Sequence, residues 1–109
     1  MKLIKVNDKD YVIKFTAKVV SELNELEGIT LSELSKDLEE MKVARLYKTF
    51  FYSLKAMQHD ITMDDAYKLI DSLYEEGMEL EEFFKMVLME YSQAMGLGKK
   101  FKEIMDAQA

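Results

Sequence analysis

Helical periodicity is the sequence feature that most limits how this chain can fold. Five successive segments carry apolar residues at intervals of three or four, the spacing that lines one face of an α-helix. They cover residues 16–28, 30–41, 43–57, 62–77 and 80–95. The chain contains no Pro that would interrupt them. This pattern predicts a compact bundle of about four to five helices.

The first fifteen residues follow a different pattern and predict a β-hairpin. Residues 2–6 and 11–15 are rich in β-branched and aromatic side chains, and the Asn-Asp-Lys-Asp segment between them favours a turn. The chain is therefore predicted to be mainly α with a small N-terminal β-hairpin, an α+β fold. A hairpin alone is marginal in water, so it must pack on the helices or pair with a neighbouring subunit. The strand edges near Lys2 and Lys14 would allow such pairing, although lysines there also discourage it. The face predicted to be buried carries Ile4, Val6, Ile13 and Phe15.

Helix starts are marked by three threonines. Thr16, Thr30 and Thr62 each precede an apolar-periodic segment, as N-cap residues do. Thr30 and Thr62 are followed three residues later by an acidic residue, which is capping-box spacing. Gly28 and Gly77 mark helix ends. The helical side chains predicted to face the core are Val19, Val20, Leu23, Leu26, Leu31, Leu34, Leu38, Met41, Val43, Leu46, Tyr47, Phe50, Leu54, Met57, Ala66, Leu69, Ile70, Leu73, Tyr74, Leu80, Phe83, Phe84, Val87, Leu88 and Tyr91.

Domain organisation follows from these elements. The sequence predicts a single domain over residues 1–98, with the hairpin at 2–15 and the helical bundle at 16–96. Residues 31–57 fit either one helix or two, because the junction contains no helix breaker. Residues 99–109 form a short amphipathic or mobile C-terminal tail, with three apolar residues at helical spacing, Phe101, Ile104 and Met105.

The residue inventory gives little support for catalysis. The chain has no Cys, which excludes disulfides and thiolate metal sites, and its single His, His59, is interpreted as an ordinary loop residue. Asn7, Asp8 and Asp10 resemble a calcium loop but lack its Gly and its terminal Glu, so a turn is favoured. Acidic pairs such as Asp64 with Asp65 are adjacent on a helix and point in different directions. We therefore expect no enzyme activity, cofactor or metal.

Charge is distributed unevenly along the chain. The formal net charge of −6 argues against nucleic-acid binding, which needs a basic face. Residues 1–18 have a net charge of +3 and residues 60–90 a net charge of −8, so opposite ends of two copies would attract in a head-to-tail homo-oligomer. The sequence lacks a signal-peptide pattern and a membrane-span segment, which predicts a cytoplasmic protein without membrane partners.

A first candidate partner-binding surface lies on the 43–57 segment. Tyr52 is expected to project opposite the apolar arc, among Arg45, Lys48 and Lys55. Two interpretations remain open: Tyr52 lies over the aliphatic stems of the lysines, or it anchors an acidic partner.

A second candidate surface lies on the last helix. Met86 and Met89 are expected to point away from the stripe formed by Phe83, Val87 and Tyr91. Either the core is widened by a helix covered on two sides, or these flexible thioethers accept varied helical partners.

Four segments also follow one another in a recognisable order. They are Val12-Ile-Lys-Phe-Thr16, Leu26-Glu-Gly-Ile-Thr-Leu-Ser-Glu-Leu34, Phe51-Tyr-Ser-Leu-Lys-Ala56 and Ile61-Thr-Met-Asp-Asp-Ala-Tyr-Lys-Leu-Ile-Asp71. In order, size and acidity the chain resembles the tail assembly chaperones of long-tailed bacteriophages and prophages. The resemblance implies a non-enzymatic protein of the bacterial host cytoplasm, absent from the mature virion. Such a chaperone binds the tape measure protein and helps recruit major tail protein subunits during viral tail assembly.

The resemblance further implies a longer form made by frameshifting, for which codons near Gly98-Lys-Lys100 could be slippery. The alternative interpretation is a small bacterial regulatory or adaptor protein that docks one partner helix through the Tyr52 or Met86 surface.

Overall fold

The computed structural model describes residues 1–100 and 102–103 and has the predicted α+β class. A two-stranded hairpin is followed by five helices, and residues 98–100 and 102–103 are also helical. The elements are β1 (Lys2–Val6), β2 (Lys9–Ile13), α1 (Ala17–Leu26), α2 (Leu31–Glu39), α3 (Ala44–Lys55), α4 (Met63–Glu75) and α5 (Leu80–Ala94). The expected tail residues Phe101, Ile104 and Met105 lie outside the described residues. No helix in the described part of the chain has the length and apolar character needed to cross a bilayer.

The hairpin turn is tighter than the sequence suggested. β1 and β2 are antiparallel with Val6 opposite Lys9, so only Asn7 and Asp8 form the loop. Both have positive φ angles, 52° and 63°, as a two-residue type I′ turn requires. Asn and Asp tolerate this conformation better than most residues. The predicted apolar face is confirmed by the burial of Ile4, Val6, Ile13 and Phe15.

Threonine caps begin three of the helices, as predicted. The Thr62 hydroxyl accepts from the Asp65 N–H at 3.1 Å, and the Asp65 carboxylate accepts from the Thr62 N–H at 3.0 Å, a complete capping box. Thr16 and Thr30 also accept a backbone N–H. The capping-box spacing of Thr30 and Glu33 also predicts a hydrogen bond from the Thr30 backbone N–H to the Glu33 carboxylate. That prediction is wrong, because the Glu33 carboxylate binds the Thr30 hydroxyl and Arg45 instead.

Met41 separates α2 from α3 and decides between the two interpretations of residues 31–57. Its φ angle is +58°, in the left-handed region. The Lys42 N–H donates to the Asp37 carbonyl at 2.8 Å and the Met41 N–H to the Leu38 carbonyl at 3.1 Å. This is the Schellman pattern, which usually places Gly where Met41 stands. α2 and α3 are therefore two helices, and the break is invisible to a search for Gly or Pro.

The core joins the hairpin to all five helices. Phe83 of α5 lies at its aromatic centre, with ring centroids 5.0 to 5.9 Å from those of Phe50, Tyr47 and Tyr74. Three predicted core residues are wrong: Leu26, Met41 and Met57 are 72%, 70% and 49% exposed. Each lies at or beyond a helix end, where the helical period stops predicting which side is covered.

Candidate partner-binding site

Arg45 begins the candidate surface on α3 and is already held by two acidic residues of α2. Its Nε and Nη2 donate to the Asp37 carboxylate at 2.7 and 2.8 Å, and its Nη1 donates to Glu33. The hydrogen bonds to Asp37 raise the pKa of the Arg45 guanidinium above its ordinary value. Asp37 is buried, so this bidentate contact supplies the partner that a buried carboxylate needs. Arg45 therefore joins α2 to α3.

Lys48 and Tyr52 both bind another acidic residue, Glu27, at the C-terminal end of α1. The Lys48 ammonium lies 3.0 Å from Glu27 Oε2, and the Tyr52 hydroxyl donates to Glu27 Oε1 at 3.0 Å. These contacts lower the pKa of Glu27, with the Lys48 bond contributing most. Burial, followed by the bond to Glu27, raises the pKa of Tyr52. The two side chains therefore connect α3 to α1.

The expectation that Tyr52 projects away from the core is wrong. Its side chain is only 8% exposed, and it belongs to the core cluster. The period of α3 identified the arc facing α4 and α5, but α1 packs on another side of the same helix. A helix covered on several sides buries residues outside its most apolar arc.

Lys55 differs from the other two basic residues of this surface. Its ammonium lies 5.1 Å from the Tyr52 ring centroid and 5.4 Å from that of Phe51, within cation–π range. Among the described residues, no carboxylate lies within 4 Å of its nitrogen. Lys48 and Lys55 are both exposed, but Lys48 is paired with Glu27, so Lys55 is the exposed cation of this surface without a carboxylate partner among the described residues.

Met86 and Met89 of α5 have different environments. Met86 is 9% exposed and belongs to the core, so the expectation that it points away from the core is wrong. The burial of Met86 fits the other interpretation, a core widened by a helix that is covered on more than one side, because α1, α2 and α3 all contact α5. Met89 is half-buried and shares its helix face with exposed Lys85 and Gln93. Of these two methionines, Met89 is the one whose thioether reaches the surface.

His59 lies at an open groove of about 480 Å³ between the hairpin turn and α4. The lining is mixed in charge, with Lys9 and Lys68 near Asp60 and Asp65. Asp65 is already used in its capping box. Within the described range, no three His, Asp or Glu side chains are grouped as a metal ion would require.

Gln58, which follows α3, has a structural role that no sequence pattern indicates. Its side-chain amide bonds both backbone groups of Val12 on β2. No periodicity marks Gln58, because its role depends on where the end of α3 lies against the hairpin.

Comparison with protein-family models, curated proteins and solved structures finds no match to this chain.

Proposed function

We propose that this protein is a tail assembly chaperone of a long-tailed bacteriophage or prophage. It binds the tape measure protein in the host cytoplasm, keeps the apolar surface of that client from aggregating, and assists the addition of major tail protein subunits. The role requires binding and no catalysis.

The observation that carries this proposal is the order in which the four resembling segments follow one another along a small acidic chain. In the structure these segments lie at the end of β2, the junction of α1 and α2, the second half of α3 and the start of α4. The acidic net charge of −6 would keep such a body soluble while it holds an apolar client.

Exposed flexible side chains provide physical support for client binding. Leu26, Met41, Met57 and Met95 are large apolar residues that remain at least 40% exposed. Three of the four are methionines, whose unbranched thioethers adapt to irregular surfaces. A long helical client presents many similar but non-identical apolar faces, which such side chains can accommodate.

Two residues of the predicted surfaces reach the surface without an ion pair to another described residue, Lys55 and Met89. Lys55 would pair with acidic groups beside the apolar face, and Met89 would pack on that face. Tyr52 and Met86 support these contacts from the core, so their substitution would test folding before it tests binding.

Co-expression with a tape measure fragment encoded by the neighbouring gene tests the proposal. The fragment should be soluble with the chaperone and precipitate without it. Lys55→Glu and Met89→Glu should each reduce the soluble fraction, while the exposed controls Lys36→Glu on α2 and Tyr67→Glu on α4 should not. A client that precipitates equally with and without the folded protein would reject the proposal. A gene located in a transcriptional operon would then favour the adaptor.

A further inference from the structure

The two edges of the hairpin have different environments. On the outer edge of β2, Gln58 bonds both main-chain groups of Val12, and the Lys14 N–H donates to the Ser53 carbonyl at 3.0 Å. The end of α3 therefore occupies the place where a further strand would pair with β2. The sheet is closed on this side.

Within residues 1–100 and 102–103, no backbone group pairs with the outer edge of β1. Leu3 lies opposite Val12, and Lys5 lies opposite Asp10. Because Val12 directs its N–H and C=O away from β1, Leu3 and Val12 form a non-hydrogen-bonded pair of the antiparallel ladder. Leu3 and, two residues on, Lys5 therefore direct their own N–H and C=O groups away from β2. Leu3 is 63% exposed, and Lys5 is exposed as well.

Charge determines which kind of strand fits this edge. Lys2 and Lys5 alternate onto the two faces of β1, and both are exposed. Residues 1–18 together have a net charge of +3. A second copy of β1 would add two more lysines to the same edge, which like-charge repulsion disfavours. A strand with acidic side chains would instead place opposite charges beside both lysines.

We propose that the β1 edge binds an extended acidic segment of a partner protein, which adds to the hairpin as a third strand. Its backbone pairs with the N–H and C=O groups of Leu3 and Lys5, and its carboxylates lie beside Lys2 and Lys5. Exposed Leu3 supplies an apolar contact on one face. This surface uses residues other than Lys55 and Met89 and takes a strand, so the inference does not depend on the helical client proposed above.

A synthetic peptide, acetyl-Glu-Val-Glu-Val-Glu-Val-Glu-amide, provides the probe for the full-length protein. Its addition should slow hydrogen exchange of the Leu3 and Lys5 amides at least about tenfold and leave that of Val12 unchanged. The same peptide N-methylated at alternate residues, which removes its backbone donors, should give no protection. A peptide with Lys in place of Glu should bind more weakly by about tenfold or more at low salt.

Two protein variants test the edge directly. Lys5→Glu should weaken binding of the acidic peptide by about fivefold, while Lys18→Glu, an equal charge change on exposed α1, should have a smaller effect. Leu3→Pro removes one outward N–H at an edge that tolerates Pro and should abolish protection of Lys5. If Leu3→Pro does not fold, Lys5→Glu and the N-methylated peptide still decide the question.

Three results would overturn the proposal. They are equal binding of the N-methylated peptide, peptide contacts that map to α3 with no protection of Leu3 and Lys5, and a stable homodimer that occupies the β1 edge and excludes the peptide.

Discussion

The Gln58 side chain satisfies both backbone groups of Val12, with Oε1 accepting from the Val12 N–H at 2.8 Å and Nε2 donating to its carbonyl at 3.0 Å. A single amide group thus does for β2 what a neighbouring strand residue would do. The contact also fixes the hairpin against the end of α3, 46 residues further along the chain.

Gln58→Ala should therefore destabilise the fold. Both hydrogen bonds to Val12 and a third from Nε2 to the Leu54 carbonyl are lost. The Val12 groups must then be satisfied by water, which predicts a loss of about 1 to 3 kcal/mol. Urea denaturation measures the loss. Gln58→Glu is the matched control, because its carboxylate can still accept from the Val12 N–H but cannot donate to the carbonyl. Its stability should be intermediate, and an Ala variant as stable as wild type would contradict the interpretation.

Met41→Gly should stabilise the protein. Met41 has a φ of +58°, a conformation that costs an L-residue about 1 to 2 kcal/mol but is open to Gly. Its side chain is 70% exposed, so little apolar burial is lost. We expect a gain of about 1 kcal/mol after the entropy cost of Gly, measured as a higher urea midpoint. Met41→Ala keeps the strain and should give no such gain; a Gly variant no more stable than the Ala variant would argue against the strain.

Arg45 and Asp37 should be strongly coupled in their effects on the free energy of unfolding. Arg45→Met leaves the buried Asp37 carboxylate without its main partner and should destabilise the fold, although less than the loss of a fully buried pair would, because Arg45 itself is partly exposed. Asp37→Asn in the same background should recover part of the loss. A double-mutant cycle by chemical denaturation measures the coupling. Additive effects of the two substitutions would show that the pair makes no net contribution.

Glu27 should make stability depend on pH. The contacts with Lys48 and Tyr52 lower its pKa in the folded state, so its contribution is present above the ordinary carboxylate pKa of about 4.3 and is lost as pH falls through the folded value. Glu27→Gln should therefore destabilise the protein by less than about 1 kcal/mol at neutral pH, because the pair is only partly shielded from solvent. The difference from wild type should vanish once the pH falls below the lowered pKa of Glu27. Glu25→Gln, an exposed carboxylate of the same helix, should have little effect at either pH.

Local rules predicted the parts of the fold that depend on near neighbours in sequence. The capping box of Thr62 and Asp65 spans four residues, and the buried face of the hairpin depends only on alternation, so both could be predicted. The break at Met41 could not, because the left-handed conformation is imposed on a residue that does not favour it.

The candidate surface needed three-dimensional information. Tyr52 is buried because Glu27, from another helix, lies against it, and Met86 is buried because α5 is contacted by several helices. Neither of these contacts between helices leaves a periodic pattern in the sequence. Charge counting likewise identified Arg45, Lys48 and Lys55 as a basic patch, whereas only the fold shows that acids from α1 and α2 neutralise the first two.

The hairpin can gain hydrogen-bonded neighbours on one side only. Fibrils that grow by sheet extension need every unit to recruit at both flanks, and here the end of α3 blocks one of them. Even under conditions that overcome the lysine repulsion, two hairpins could pair through their β1 edges but a third could not add. This small sheet therefore cannot extend into a fibril.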